Sequence, residues 1–74
     1  MYNCITIDGK IIKKAKMSLE DMQKFVGGYI EIVGDTICNE DGLLLKLPVN
    51  KFDSRFVGNI IKKVRKAKNA NRKN

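Results

Sequence analysis

The sequence predicts a small α+β domain, in which an antiparallel sheet of four to five strands has one short helix packed on a face. Two observations support this fold class. Short segments rich in β-branched residues are separated by turn signals such as Asp8-Gly9. One segment, after Ser18, has apolar residues at the three- and four-residue spacing of a helix.

The N-terminal segment is predicted to be a β-hairpin. Residues 2–7 alternate between polar and apolar side chains, and residues 10–16 return with two isoleucines as their main apolar content. Asp8-Gly9 between them predicts a type I′ turn, whose two central residues both need positive φ. The lysines of the return strand predict a solvent-exposed edge of the sheet.

Ser18 is predicted to begin the helix, because its hydroxyl can accept hydrogen bonds from the amides of the first turn. Glu20 and Asp21 lie in that turn, where the helix dipole favours negative charge. Gly27-Gly28 predicts the end, since the residue after a helix often adopts a left-handed conformation. A helix this short is unstable alone and must pack on the sheet.

Further strands are predicted after the helix. Residues 29–33 alternate between two faces, and shorter strands are expected at residues 36–38 and 43–47. Turns rich in glycine, asparagine and aspartate separate these strands, and the second turn is expected to have Gly42 at positive φ.

Residues 56–64 allow two interpretations. As a strand they close the sheet, and as a helix starting near Ser54 they align four apolar side chains. We favour the strand, because Gly58 weakens a helix by about 1 kcal/mol relative to alanine. A polar loop is expected at residues 50–55. The expected core residues are Ile5, Ile7, Leu19, Met22, Phe25, Val26, Ile30, Ile32, Leu45, Leu47 and Ile60.

The net charge of +7 is concentrated at the C-terminus. Residues 1–61 contain eight basic and eight acidic side chains and are neutral, whereas residues 62–74 contain seven basic and no acidic ones. We therefore expect one domain over residues 1–64 and a disordered basic tail over residues 65–74. Such a tail attracts polyanions. The predicted polyanion-binding residues are Lys62, Lys63, Arg65, Lys66, Lys68, Arg72 and Lys73.

The composition argues against catalysis and against a bound metal or cofactor. The chain has no histidine, so the commonest general base is missing. Cys4 and Cys38 lack the close spacing of a zinc site. We expect them to be reduced and to pack as small apolar side chains, with a disulfide in an oxidising compartment as the alternative. The sequence predicts a non-catalytic protein with no cofactor.

Glu31 is the one carboxylate without an evident structural role. It shares a face of the strand at residues 29–33 with Tyr29, and Asn39 and Asn50 are expected nearby. A solvent-facing pair on a half-exposed sheet is the simpler interpretation. A polar binding spot formed by Tyr29, Glu31, Asn39 and Asn50 is the alternative.

The middle of the chain resembles a known family. The motifs concerned are LEDMQKFVGGYIEIV at 19–33, NEDG at 39–42, LPVN at 47–50 and VGN at 57–59. In this order they resemble small uncharacterised domains found mainly in bacteriophages and bacterial mobile elements. In that family a helix leads into a Gly-Gly-Tyr-Ile-Glu strand, followed by Asn-Glu-x-Gly and Leu-Pro-x-Asn. The resemblance covers about residues 18–61 and does not extend to the basic tail.

The resemblance implies a viral or phage setting and no established activity. Small proteins of this kind often act as host-takeover or anti-defence factors, in the host cytoplasm or as part of the virion. No membrane partner is expected, because no apolar segment is long enough to span a bilayer. A homo-oligomer is compatible with the small core that a chain of 74 residues can build.

Two hypotheses about function remain. In the first, the protein binds a polyanion through its basic tail, without sequence specificity; the polyanion is nucleic acid or a phosphate-bearing nucleotide. In the second, it is a protein-interaction or structural component, such as a host-enzyme inhibitor or a minor virion protein. Its partner would then be a host or viral protein that engages an exposed sheet face or edge strand.

Overall fold

A computed structural model describes residues 1–64 of the chain. The elements of this part, in chain order, are β1 (Tyr2–Ile5), β2 (Ile11–Lys14), α1 (Leu19–Val26), β3 (Ile30–Val33), β4 (Thr36–Asn39) and β5 (Ile60–Lys63). The strands form one antiparallel sheet with the order β2-β1-β5-β4-β3, and α1 packs across one face. The predicted α+β class is confirmed. The tail predicted at residues 65–74 lies outside the described residues.

Strand β5 occupies the centre of the sheet although it is the last strand of residues 1–64. It pairs with β1 on one side and β4 on the other, and so joins the hairpin β1–β2 to the hairpin β3–β4. Ile60 and Ile61 are fully buried, on opposite faces of the sheet. The strand favoured for residues 56–64 is confirmed for Ile60–Lys63. Residues 56–59 instead form a loop, because Gly58 has a φ of 79° that no extended strand contains.

The first hairpin has a different turn from the predicted type I′. Gly9 has a φ of 91°, whereas Asp8 does not enter the left-handed region. The Gly9 amide donates to the Thr6 carbonyl at 2.8 Å, and the Thr6 amide donates to the Lys10 carbonyl at 2.9 Å. This is a three-residue connection with a glycine bulge, which needs positive φ at the glycine alone.

Helix α1 begins and ends as predicted. The Asp21 amide donates to Ser18 Oγ at 3.0 Å, and the Ser18 amide donates to Asp21 Oδ2 at 3.2 Å, which completes a capping box. Gly27 has a φ of 85°, and the amides of Gly27 and Gly28 both donate to the Gln23 carbonyl. The left-handed glycine therefore ends the helix and satisfies the Gln23 carbonyl in its last turn.

Both faces of the sheet are covered. The cluster on the helix side consists of Cys4, Met22, Val26, Ile37 and Ile61. The cluster on the other side, beneath the long connection from β4 to β5, consists of Ile5, Cys38 and Ile60, with Phe56 packed against it. All four residues of β4 and the first two of β5 are buried, as expected for central strands that are covered on both faces.

Three of the expected core residues are exposed. Leu19 is the first residue of α1, and the helix residues that contact the core lie further along. Ile32 belongs to β3, which is an edge strand of the described sheet and is only partly covered by the helix. Leu45 lies in a surface turn. Of the other expected residues, Ile7, Phe25, Ile30 and Leu47 are half-buried.

The strand predicted at residues 43–47 is wrong. The Leu45 amide donates to the Asp41 carbonyl, and the Leu47 amide donates to the Gly42 carbonyl. These local hydrogen bonds make the segment a turn and not a strand. Gly42 also does not have the expected positive φ. It is buried, and a Cβ at this position would lie 2.8 Å from Val57 Cγ2. Gly42 is thus needed for close packing of two loop segments.

Asn50 fastens the loop between β4 and β5 to the sheet. This fully buried side chain donates through Nδ2 to the carbonyls of Thr6 at 3.1 Å and Gly58 at 2.9 Å. Its Oδ1 accepts from the amides of Phe52 at 2.9 Å and Asp53 at 3.2 Å. Residues 50–55 therefore form a loop, as predicted, but its first residue, Asn50, is buried and makes hydrogen bonds in the core.

No helix within residues 1–64 is both long enough and apolar enough to cross a membrane.

Replacing Asn50 with alanine is expected to lower the free energy of unfolding by at least about 2 kcal/mol, because several buried backbone groups lose their partners. Urea unfolding followed by circular dichroism measures this change. Asn3→Ala is the control, since Asn3 is only half-buried. Equal effects of the two substitutions would contradict the role given to Asn50.

Candidate functional site

The register of the sheet brings lysines from two strands to one end. On the helix side the cross-strand row is Lys14–Tyr2–Lys63, and on the other side it is Lys13–Asn3–Lys62. We call these two sets the lysine rows. Lys13 and Lys14 belong to the edge strand β2, and both are exposed. The sequence predicted this exposure for the lysines of the return strand. Lys13 and Lys14 lie near Lys62 and Lys63 because β5 pairs with β1 in the centre of the sheet. The local sequence pattern does not indicate this pairing.

The described chain also leaves the sheet at this end. The Val64 amide donates to the Met1 carbonyl at 2.9 Å. Residue 64 therefore lies beside Met1, which directly precedes β1, at the end of the sheet that carries the lysine rows. The other predicted polyanion-binding residues, Arg65, Lys66, Lys68, Arg72 and Lys73, lie outside the described residues. They follow directly in the sequence from this point.

Lys62 is engaged inside the fold. Its Nζ donates to Thr36 Oγ1 at 2.8 Å and to Asp53 Oδ2 at 3.0 Å, and its side chain is 18% exposed. The ring of Phe56 lies 5.6 Å from the same nitrogen. These contacts argue against Lys62 as a polyanion ligand, whereas Lys63 is exposed.

Asp53 holds both Lys62 and Arg55. Arg55 binds its carboxylate through Nη2 at 2.7 Å and Nε at 2.9 Å, in the paired geometry that a guanidinium makes with a carboxylate. The hydrogen bonds from Arg55, and then that from Lys62, hold the pKa of Asp53 well below its ordinary value. Asp53 therefore remains charged and anchors the loop above Phe56.

The four residues of the predicted polar binding spot are not brought together. Asn39 Nδ2 donates to the Val26 carbonyl at 3.0 Å, and its Oδ1 accepts from the Asp41 amide at 2.8 Å. Asn50 bonds instead to the carbonyls of Thr6 and Gly58, next to β1 and β5. Both asparagines are buried and have structural roles. Tyr29 is 70% exposed. Exposed Glu31 shares one groove with Asn39.

A groove of about 490 Å³ lies between α1 and β2 on the helix side, and we call it the α1–β2 groove. Its lining residues are Cys4, Ile12, Lys14, Lys16, Met17, Asp21, Lys24 and Phe25. The apolar members form a floor between three exposed lysines. Burial raises the pKa of the Cys4 thiol, with Lys14 opposing it, so the thiol is neutral at pH 7 and the floor stays apolar. Sequence reasoning missed this groove, because its residues come from three separate segments.

A second groove, of about 350 Å³, lies on the other side of the sheet, between β3 and the long loop. It is lined by Glu31, Val33, Cys38, Asn39, Glu40, Leu43, Arg55, Phe56 and Val57. Burial, and then the charge of Glu31, raise the pKa of the Cys38 thiol. Cys4 and Cys38 are both free and buried, as expected for small apolar side chains. Among the residues described, no group of histidine, cysteine, aspartate or glutamate side chains could hold a metal ion.

The fold is that of a small α+β domain with a basic sheet end and two grooves. Residues 3–64 match the family described as Domain of unknown function (DUF3846), and the chain belongs to this family. The resemblance to an uncharacterised family is thereby confirmed. Comparisons with curated proteins and with solved structures found no match. The matched range runs from β1 to the end of β5 and includes both grooves.

Asp53→Asn is expected to lower stability at pH 7 and to flatten the loss of stability in acid. The folded-state pKa of Asp53 lies below its ordinary value of 3.8, so its contribution is complete above that pH and is lost as pH falls through the folded-state pKa. Urea midpoints measured between neutral and strongly acidic pH test this. Asp35→Asn is the control, because Asp35 is 61% exposed and 3.9 Å from Lys62. An acid profile of Asp53→Asn that parallels the wild type would contradict the assignment.

Proposed function

We propose that this protein is a non-catalytic binding protein that holds nucleic acid at the basic end of its sheet. One observation carries the proposal: the sheet register places exposed Lys13, Lys14 and Lys63 where the chain continues into residues 65–74. Five more basic residues follow there, with no acidic one. Basic side chains from the domain and from the C-terminal segment can thus act on the same polyanion.

The binding expected from these groups is electrostatic and independent of sequence. Each lysine that neutralises a phosphate releases condensed counterions, so affinity falls steeply with salt. Lysines that contact phosphates position a nucleic acid without reading its bases. The resemblance to phage-borne domains supports a viral setting in the host cytoplasm. Nucleic-acid binding there would serve host takeover or evasion of host defence.

A matched pair of triple variants tests the role of the lysine rows. In Lys13→Gln/Lys14→Gln/Lys63→Gln, the slope of log affinity against log salt should fall by about 0.7 for each lost contact with a single strand. The control, Lys10→Gln/Lys46→Gln/Lys51→Gln, removes the same charge from other surfaces. Fluorescence anisotropy with a labelled oligonucleotide measures both slopes.

Equal slopes in the two triple variants would show that net charge alone matters and would contradict the proposed site. A variant of the 74-residue chain with its five basic residues beyond position 64 changed to glutamine extends the test. We expect it to lose affinity at low salt while keeping the same unfolding midpoint. If neither this variant nor the first triple variant changes binding, the polyanion function is wrong.

A second candidate function, protein interaction, is favoured by one surface feature. Leu43 and Leu44 are 82% and 83% exposed and follow each other in the turn above the second groove. Leu43 shares that groove with Val33 of β3, an edge strand of the described sheet. Adjacent exposed apolar side chains mark interaction surfaces more often than isolated ones do. A host or viral protein, or a second copy of this chain, could add a strand to this edge.

Leu43→Ser/Leu44→Ser tests this second candidate. After nuclease treatment, the wild-type protein is expected to sediment as a complex of fixed stoichiometry, and the variant is expected to sediment as a monomer. Sedimentation velocity measures both masses. Identical masses for the two proteins would contradict the interaction surface and leave nucleic-acid binding unaffected. Lys46→Ser is a control from the same turn, because it changes a charged residue and keeps the leucines.

A further inference from the structure

We propose that the α1–β2 groove accepts one unstacked nucleotide, either a base of a single-stranded nucleic acid or a free nucleotide. This inference rests on the proposed function and adds a ligand class to it, namely nucleic acid with exposed bases. The groove combines two features that such a ligand needs: an apolar floor that contains an aromatic ring, and positive charge around it.

The floor suits the flat face of a base. Phe25 is half-buried, so one part of its ring packs against the core while another part lines the groove. Met17 also lines the groove, and its sulfur is 3.4 Å from Cys4 Sγ. Aromatic rings and thioethers offer polarisable surfaces on which any base can stack. Stacking of this kind accepts different bases, in keeping with binding that is independent of sequence.

The rim suits phosphate. Lys14, Lys16 and Lys24 are exposed around the floor, and Asp21 is the single acidic lining residue. Asp21 already accepts the hydrogen bond from the Ser18 amide. Lys24 and Glu20 are 3.6 Å apart, with 76% and 77% of their side chains exposed, and such a solvent-exposed pair exchanges readily with a stronger anion.

The second groove provides the contrast within the same molecule. It has an aromatic residue, Phe56, but its lining includes Glu31 and Glu40. Its one basic side chain, Arg55, is bonded to Asp53. Phosphate is therefore repelled from the second groove and attracted to the α1–β2 groove. Both grooves have volumes within the range of about 300–1,000 Å³ of small-molecule sites, so charge and not volume distinguishes them.

Lys14 connects the groove to the proposed nucleic-acid site. It lines the groove, and it is also the β2 member of the helix-side lysine row. A strand whose phosphates follow that row can therefore turn one base onto the floor. A duplex offers no such base unless it is unpaired and flipped, which costs free energy. The groove accordingly predicts a preference for single strands.

Three labelled probes of equal length separate stacking from charge: oligothymidine, an abasic strand with the same phosphates, and a duplex. Competition measured by anisotropy at one salt concentration is expected to show oligothymidine binding about five- to 140-fold more tightly than the abasic strand. Equal affinity for these two strands would overturn the groove inference and leave phosphate binding intact. If none of the probes binds, the proposed function itself fails.

Phe25→Leu, made in the 74-residue chain, tests whether the base stacks on the ring of Phe25. It keeps an apolar side chain of similar reach in α1 and removes the ring. The ratio of oligothymidine to abasic affinity should fall toward one, with abasic affinity unchanged. Phe56→Leu, on the other face of the sheet, is the control and should keep the wild-type ratio. An unchanged ratio in Phe25→Leu would overturn the inference.

A measurement on the wild-type protein avoids any effect of substitutions on folding. Thymidine monophosphate and oligothymidine are titrated separately, and amide chemical shifts are recorded by heteronuclear NMR. Shifts centred on Cys4, Met17 and Phe25 with both ligands assign the groove to free nucleotides as well as strands. Shifts with the oligonucleotide alone assign it to strands. If neither ligand moves these amides, the groove inference is wrong.

Discussion

The packing of β5 between two hairpins is the constraint on which the rest of the structure depends. Ile60 and Ile61 are fully buried on opposite faces, so both the helix-side core and the loop-side core are built around this one strand. Each hairpin alone has too few strands to bury a stable core. Strand β5 must therefore be in place before either hairpin has a packed partner, and Asn50 holds the long connection from β4 to β5 against the sheet.

Local signals in the sequence predicted the helix well, because the hydrogen bonds that define its two ends join residues only three or four positions apart. Ser18 and Asp21 complete each other's hydrogen bonds, and Gly27 supplies the left-handed residue that ends α1. Leu43–Leu45 show the opposite case, because the same run of apolar residues is compatible with a buried strand and with a turn. The backbone bonds that decide between them reach back to residues 41 and 42. Strand patterning carries no information about such bonds.

The candidate site depended still more on contacts distant in sequence. Net charge identified Lys62 and Lys63 as equivalent members of a basic segment, yet neighbouring residues of a strand face opposite sides of a sheet. Lys62 thereby meets Asp53 and Phe56 of the loop, whereas Lys63 shares a row with Tyr2 and stays exposed. A segment that the sequence presents as uniformly cationic is thus divided between a structural cation and a surface cation. The division follows from strand pairing, which composition does not encode.

The same alternation explains why the two faces of the sheet have different chemistry. On the helix side, the short α1 covers the centre of the sheet and leaves the edge strand β2 open, so the lysines that keep an exposed edge from aggregating also surround the apolar floor beside Phe25. On the other side, the loop covers the centre, and Glu31 and Glu40 both line the groove at the opposite edge. The lining of the α1–β2 groove is therefore mainly basic, and that of the second groove is mainly acidic. Under the proposed function, a polyanion at the basic end of the sheet has the α1–β2 groove within reach, and the exposed leucines of the opposite edge are available to the partner of the second candidate function.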